Sequence, residues 1–271
     1  DDPERRLEIL DGWLSAFDRA EVKADIPLQP RFDAPRRVAM GYDAGDEGED
    51  SPRAFVVVNW LTDETLDPEA MMGLTMLEYI LISTPASPLR QSLLASGLGE
   101  DLAGDGFVDA LRQTYFGVGL KNAKAADAGA IEELILATLR RLAEEGIDQD
   151  MVDAALNTIE FRLREMNTGR YPRGLALSVA ALGTWLYGGD PLAALRYEAP
   201  IAAIKAALAR GERYFENLIQ PRLLGNPHRV TLLLQPDPTL RAREDAAEAD
   251  RLAKARAAMS PAELEAVIAG T

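Results

Sequence analysis

The sequence predicts an α+β fold in which a mixed or antiparallel sheet of about five strands packs against several helices. Two patterns lead to this expectation. Five short segments are rich in β-forming residues or alternate between two faces, whereas longer segments repeat apolar residues every three or four positions, as amphipathic helices do. With 271 residues, 47% of them hydrophobic, the chain can bury one large core or two small ones.

The chain opens with a short amphipathic helix over residues 5–17, followed by a loop interrupted by prolines. The large apolar residues of this helix lie on one side and are Leu7, Leu10, Leu14 and Phe17. The opening is charged where a secretory signal would be apolar, and an initiator Met is missing. We therefore expect residues 1–34 to be the tail of a preceding domain with its linker, and the whole chain to be a fragment or processed product.

Four strands are predicted in the first half of the chain, over residues 36–42, 54–61, 101–107 and 112–121. The second strand, AFVVVNWL, is a continuous apolar run, so we expect it to be central and covered on both faces. The acidic segment 43–50 is predicted to be a solvated hairpin loop between the first two strands. A calcium site is the alternative for this segment, although its spacing does not match an EF-hand loop.

The remaining elements are mostly helices with apolar stripes. They are predicted over residues 67–83, 87–97, 127–145, 148–166, 173–187, 199–209 and 211–224, with a last strand over 228–235. Residues 173–187 are apolar on most sides, so we expect this helix to be deeply buried. After residue 237 the chain becomes Ala-rich and charge-dense, and a helix so poor in large apolar residues needs a partner. We therefore assign the domain to residues 35–237 and the start of a helical linker to 238–271.

Composition excludes several classes of function. The net charge of −15 argues against nucleic-acid binding; it permits attraction of cationic peptides or serves solubility alone. No apolar run approaches the roughly 20 residues that span a bilayer. The chain has no Cys and a single His, His228, so an intrinsic catalytic zinc site is improbable. For His228 we favour a structural or surface role over that of a general base.

The stretch 156–174 joins the end of one amphipathic helix to the start of the next. Its charged side chains include Glu160 and Arg164, which are four residues apart in the favourable order for an ion pair. Together with Arg162 and Glu165 they could form a structural ionic network or a patch that faces substrate. Arg173 is interpreted as structural, at a helix end.

Several phrases of the sequence resemble one protein family. They are STPASPLRQSLLASGLGEDL at 83–102, RQTYFGVGLKN at 112–122, LNTIEFRLREMNTGRYPRGL from 156, WLYGGDPLAALRYE from 185 and NPHRVTLLLQPD at 226–237. In this order they resemble the presequence-protease branch of the pitrilysin/insulinase-type zinc metallopeptidases, over nearly the whole chain. The resemblance implies a pitrilysin/mitochondrial-processing-peptidase-like domain: the second, non-zinc-binding one, followed by the start of the family's helical linker.

The catalytic motif of this family, His-x-x-Glu-His on a helix, is absent from the chain. In that motif two His bind zinc and the Glu is the general base. Alignment by resemblance puts Thr75 and Tyr79 at the His positions and keeps Glu78, so these three residues are the candidate degenerate counterpart; a chance match is the alternative. We accordingly expect no catalytic or metal-binding residue and no bound cofactor in this chain, with zinc held elsewhere in the parent enzyme.

The function implied by the resemblance is that of a fragment. The parent would be a zinc metalloendopeptidase that degrades short unstructured peptides. This segment would be a non-catalytic domain that forms part of the chamber wall and packs against the other domains. The alternative is a stand-alone binding or assembly subunit related to processing proteases. The expected partners are the other domains of the parent and unstructured peptides, basic ones included, with no nucleic acid and no membrane. The expected location is the cytoplasm, or an organelle matrix in a eukaryote.

Overall fold

A five-stranded mixed sheet forms the centre of the protein in a computed structural model that describes residues 2–43, 45 and 53–270. The strand order is β1-β5-β2-β4-β3. Their bounds are Arg36–Tyr42 (β1), Ala54–Glu64 (β2), Asp101–Val108 (β3), Gln113–Ala123 (β4) and Arg229–Pro236 (β5). β1 is parallel to β5, and the other neighbouring pairs are antiparallel. The predicted α+β fold with a mixed sheet is confirmed.

The predicted hairpin between the first two strands is wrong, because β5 lies between them. Val56 of β2 is paired with Leu233 of β5, which is paired in turn with Ala39 of β1. Sequence neighbours are often strand neighbours, but not always, and here the strand that fills the gap comes from the far end of the domain. Of the acidic segment 43–50, only Asp43 and Gly45 lie in the described part of the chain, so its loop and calcium interpretations fall outside the described residues.

The helices agree with the predicted segments to within a few residues. Their bounds are Pro3–Leu14 (α1), Pro68–Glu78 (α2), Pro88–Ala95 (α3), Ala128–Glu145 (α4), Gln149–Glu165 (α5), Arg173–Trp185 (α6), Glu198–Ala209 (α7), Tyr214–Ile219 (α8), Leu240–Ala258 (α9) and Pro261–Gly270 (α10). A π-helical turn over Tyr79–Ser83 extends α2. None of the helices in the described ranges is both long and apolar enough to cross a membrane.

Helices cover only one face of the sheet. The side chains on this covered face are almost fully buried and include Val56, Val58, Trp60, Phe116, Val118 and Leu120. They share a core with helical residues such as Leu77 of α2 and Ile135 of α4. Along β2 the alternate positions Phe55, Asn59 and Leu61 are half-buried, and Val57 on the same face is 9% exposed. The prediction that β2 is covered on both faces is therefore wrong for its second face, which no helix of the described residues covers.

Helix α6 is also less buried than its composition predicts. Within it only Thr184 is buried, while Leu175, Val179 and Leu182 are exposed. The prediction of deep burial is wrong, because the described part of the chain packs against one side of this helix and leaves another apolar side in solvent. The helices α1, α9 and α10 contain no buried residue among those described. The division of the chain at residues 34 and 237 stays a prediction.

Candidate functional site

The three residues at the degenerate motif lie on α2 and its π-helical extension, but their side chains point to different partners. The Thr75 hydroxyl donates a hydrogen bond to the carbonyl oxygen of Met71 at 2.9 Å, within its own helix. The Tyr79 hydroxyl donates to Thr158 Oγ1 on α5 at 3.5 Å. The two hydroxyls are therefore engaged in helix packing and do not converge on a common point.

Glu78 lies between the end of α2 and the edge strand β3. Its Oε1 accepts a hydrogen bond from Ser83 Oγ at 3.3 Å, and it sits so close to Gly106 that a Cβ there would be 2.8 Å from it. Burial raises the pKa of the Glu78 carboxyl, against the opposing effects of the Ser83 hydrogen bond and the Arg162 charge. Glu78 is thus a half-buried carboxyl that holds a proton more readily than a free one.

The donor chemistry at this position does not fit a zinc ion. Zinc sites in proteins use imidazole nitrogens, thiolates and carboxylates, whereas Thr75 and Tyr79 offer neutral hydroxyls that are already hydrogen-bonded. Within the described ranges, no group of three or more His, Asp and Glu side chains is arranged to hold a metal. We therefore derive no metal chemistry from this part of the chain.

His228 is a core residue, only 6% exposed. Its ring stacks on Phe32 with 3.8 Å between the centroids, and the Arg36 guanidinium lies 3.6 Å from the centroid of Phe32. Burial lowers the pKa of the imidazole, and the charges of Arg31 and Arg36 lower it further. A neutral ring enclosed in this way holds the segment before β1 against the start of β5, which agrees with a structural role rather than that of a general base.

The charged residues after Leu156 form a small cluster rather than the full predicted network. The Glu160 carboxylate contacts Arg164 Nη2 at 2.5 Å and also pairs with Lys205, and thereby links α5 to α7. The hydrogen bond from Lys205, followed by weaker charge effects, lowers the pKa of Glu160. Glu165 and Arg173 lie at exposed positions outside this cluster.

Arg162 takes a different partner. Its guanidinium lies 5.4 Å from the centroid of the Tyr79 ring, within the range of a cation–π contact. This contact adds to the packing of α5 on the end of α2. The sequence could not have indicated it, because the two residues are far apart in the chain.

The open face of the sheet carries a shallow groove of about 420 Å³ that the sequence did not reveal. Its lining residues are Phe55, Val57, Asn59, Leu102, Ala103, Gly104, Asp105, Lys121, Leu232 and Leu234. Among them only Asp105 and Lys121 carry a charge, and together with Asn59 of β2 they give the groove a mixed polar and apolar lining. Next to it the Tyr115 hydroxyl donates to Asp105 Oδ2 at 2.7 Å.

Two glycines in β4 place no side chain on this face of the sheet. A Cβ at Gly119 would lie 1.8 Å from the carbonyl oxygen of Val56, and one at Gly117 would lie 2.5 Å from Asn59 Oδ1. The alternation of Thr114, Phe116 and the residues that follow does indicate that these glycines share a face. It does not indicate that the face is open, and this is why the groove was missed.

Known proteins match the chain in both sequence and fold. A family profile described as the peptidase M16 inactive domain matches residues 2–159. Presequence protease 1 of Arabidopsis thaliana, a chloroplastic/mitochondrial protein, is 42% identical over 269 residues, which are 97% of this chain and 25% of that protein. Presequence protease of Xenopus tropicalis is likewise matched over 25% of its length. The chain thus spans about a quarter of the curated relatives it matches.

Two solved structures share the fold. The M16 inactive domain from Pseudomonas fluorescens superposes with a TM-score of 0.53 at 14% identity, over 88% of this chain and 52% of that one. The ferredoxin protease FusC, solved in complex with Arabidopsis ferredoxin, gives a TM-score of 0.61 at 15% identity, over 88% of this chain and 24% of that one. At such identities the likeness concerns the fold alone.

Proposed function

The chain belongs to the peptidase M16 family as an inactive domain, and on this premise we propose that it walls the peptide chamber of a longer zinc metalloendopeptidase that degrades short unstructured peptides. The family resemblance drawn from the sequence is confirmed by the profile match and the relatives. In this proposal the chain itself contributes no zinc ligand and no catalytic base, and the zinc belongs to another domain of the parent.

The open face of the sheet carries the proposal. Within the described residues no helix covers this face, and its groove combines half-buried apolar side chains with polar ones, a combination that is typical of binding clefts. Phe55, Leu232 and Leu234 supply apolar contacts in the groove, and Asp105 supplies a negative charge at its side. An unstructured peptide can place its side chains against such a wall without adopting a defined fold.

The assignments that the sequence suggested for other regions are part of the same proposal. We assign Thr75, Glu78 and Tyr79 to the position of the zinc motif in a duplicated domain that has lost its ligands. The segments before residue 35 and after residue 237 would connect this domain to the remainder of the parent. Peptide substrates, basic ones included, would be attracted by the net charge of −15, in the cytoplasm or in an organelle matrix.

The first test concerns the isolated chain. Purified protein is incubated with a short, unstructured, Arg-rich peptide, with added zinc and with a chelator, and metal content is measured on the same sample. We expect no chelator-sensitive hydrolysis and no stoichiometric zinc, because the donor set does not fit the metal. Zinc-dependent cleavage by the isolated chain would contradict the assignment of a non-catalytic role.

The second test concerns the wall. In the parent protein, Leu232→Glu places a charge on the open face and should raise KM for an apolar peptide about tenfold, which corresponds to about 1.4 kcal/mol, with a smaller change in kcat. Leu94→Glu on α3, where the leucine is 36% exposed and outside the groove, is the matched control and should leave KM unchanged. An unchanged KM in a folded Leu232→Glu variant would contradict the wall role.

A further inference from the structure

Helix α6 presents a regular apolar stripe to solvent. The stripe, called here the outer stripe, consists of Leu175, Val179, Leu182 and Leu186, which are 48%, 54%, 39% and 67% exposed. Their spacing of four, three and four residues places them along one side of the helix. Trp185, next to this stripe, is 61% exposed. Four aligned large apolar residues are far more than the scattered exposed leucine that any surface carries.

The opposite side of the helix is less exposed and contacts the turn that follows α6. Leu177, Ala181 and Thr184 follow the same three- and four-residue spacing about half a turn away, and they are partly or fully buried. The Thr184 hydroxyl donates a hydrogen bond to the carbonyl oxygen of Asp190 at 2.9 Å. The outer stripe therefore lies on the side of α6 opposite to these contacts. This spacing is the one with which one helix packs against another or enters an apolar groove.

Two exposed arginines lie at the start of α6. Arg173 is the first helical residue, Arg170 precedes it by three, and both are exposed. The N-terminus of a helix is the positive end of its dipole and is stabilised by anions rather than cations, and Pro172 at the N-cap offers no side-chain acceptor. In a chain of net charge −15, two arginines at this position favour a partner that brings carboxylates to this end.

The relatives that match α6 are longer than this chain. The inactive-domain profile ends at residue 159, before α6 begins, whereas the alignment with presequence protease 1 includes 97% of this chain. The outer stripe thus belongs to the part of the chain shared with that relative and not covered by the profile. Because the same alignment spans only 25% of the relative, a protein of that length has ample additional chain to cover the stripe.

We propose that the outer stripe of α6 docks an apolar helical face, flanked by carboxylates near Arg170 and Arg173, from the part of the parent protein outside these 271 residues. The inference rests on the proposed function, since it requires a longer parent. It assigns different roles to two surfaces: the outer stripe is an internal interface between parts of the parent, whereas the open face of the sheet stays accessible to peptides.

The absence of cysteine from the sequence makes a labelling test possible. Val179→Cys introduces a thiol on the outer stripe, and its rate of alkylation by a small neutral reagent is compared in the isolated chain and in the parent, relative to the parent without the added cysteine. We expect labelling in the parent to be slower by about tenfold or more, because a covered thiol reacts only when the interface opens. Equal rates in the two proteins would overturn the proposal.

Ala180→Cys is the matched control on the same helix. Ala180 is exposed and lies about 100° around the helix from Val179, so its labelling rate should change much less between the two proteins. Equal protection of both thiols would overturn the assignment to the outer stripe. Light scattering on the isolated chain tests a second copy as the occupant: a stable dimer that protects Val179→Cys would also overturn the proposal.

The charge requirement has its own variant. Replacing Arg170 and Arg173 together by Glu in the parent should raise the labelling rate of Val179→Cys several-fold, and an unchanged rate would overturn the carboxylate part of the proposal. Zinc-dependent peptide hydrolysis by the parent, measured separately, distinguishes the two failures. A parent that hydrolyses no peptide contradicts the proposed function even where Val179→Cys is protected, and an active parent with a freely reactive thiol contradicts only the docking.

Discussion

Helices α4 and α6 both carry a regular apolar stripe, yet the protein covers these stripes to different extents. The α4 stripe of Ile131, Ile135, Leu139 and Leu142 is at most 5% exposed, and charged residues occupy its other side. After Arg173, α6 has no charged residue at all, and its outer stripe is in solvent. The difference teaches that periodicity identifies which residues share a side of a helix, while a partner decides whether that side is buried.

The largest expected effect comes from a pair of variants that replace one leucine in each helix. Leu139→Ala removes a side chain of 0% exposure from the core and should lower the free energy of unfolding by about 2–5 kcal/mol. Leu182→Ala, at 39% exposure, should cost less than about 1 kcal/mol in the isolated chain, because little apolar surface is lost. Urea denaturation followed by circular dichroism measures both.

The same pair of variants sharpens the docking proposal. In the parent protein, Leu182→Ala should lower the free energy of unfolding by an amount closer to that of Leu139→Ala, because the substitution then removes a side chain that is packed in an interface. If the two variants lower the free energy of unfolding of the isolated chain equally, the two helices do not differ in burial as proposed.

A smaller effect, with opposite signs, is expected from a pair of helical glycines. A Cβ at Gly73 in α2 would lie 2.8 Å from the Tyr214 hydroxyl and 3.1 Å from Leu218 Cδ1, whereas a Cβ at Gly183 in α6 would meet no atom within 4 Å. Gly73→Ala should therefore destabilise by about 1–3 kcal/mol through overpacking. Gly183→Ala should stabilise by about 0.5–1 kcal/mol through helix propensity. Thermal unfolding of both variants provides the measurement, and a destabilised Gly183→Ala would show that α6 is packed more tightly than described.

The smallest expected effect concerns the dependence of stability on pH. The pKa of His228 is lowered in the folded protein. Below about pH 6.5 the unfolded chain therefore binds a proton more readily than the folded one, and the free energy of unfolding decreases as the pH is lowered. His228→Phe keeps a ring for stacking on Phe32 and removes this contribution. Its urea midpoint should change less between pH 7.5 and 5.5 than that of the original chain, and an identical change would mean that His228 is not the group responsible.

Much of the fold could be predicted because the signals are local. The predicted segments 36–42 and 127–145 correspond to β1 and α4. Trp60 and Leu120 lie in the core, as the pattern of apolar residues around them in the sequence predicts. Parts of the candidate site follow local signals: Glu78 lies on the predicted helix, and Glu160 pairs with Arg164. That Thr75, Glu78 and Tyr79 correspond to the zinc motif stays a prediction. The contacts of Glu78 with Gly106 and of Glu160 with Lys205 depend on the packing of distant segments, for which a single sequence gives no signal.

By itself the sequence determined the elements, their apolar sides, the family and the lack of a zinc motif, because these depend on residue type and spacing over a few turns or strands. Only the tertiary structure decided that β5 enters between β1 and β2, that one face of the sheet stays open, and that α6 turns a complete apolar stripe outward. The physical reason is that burial is a property of pairs of surfaces. The residues of a stripe or of a strand face define its chemistry, but whether another surface covers it depends on segments of the chain that are far away in sequence.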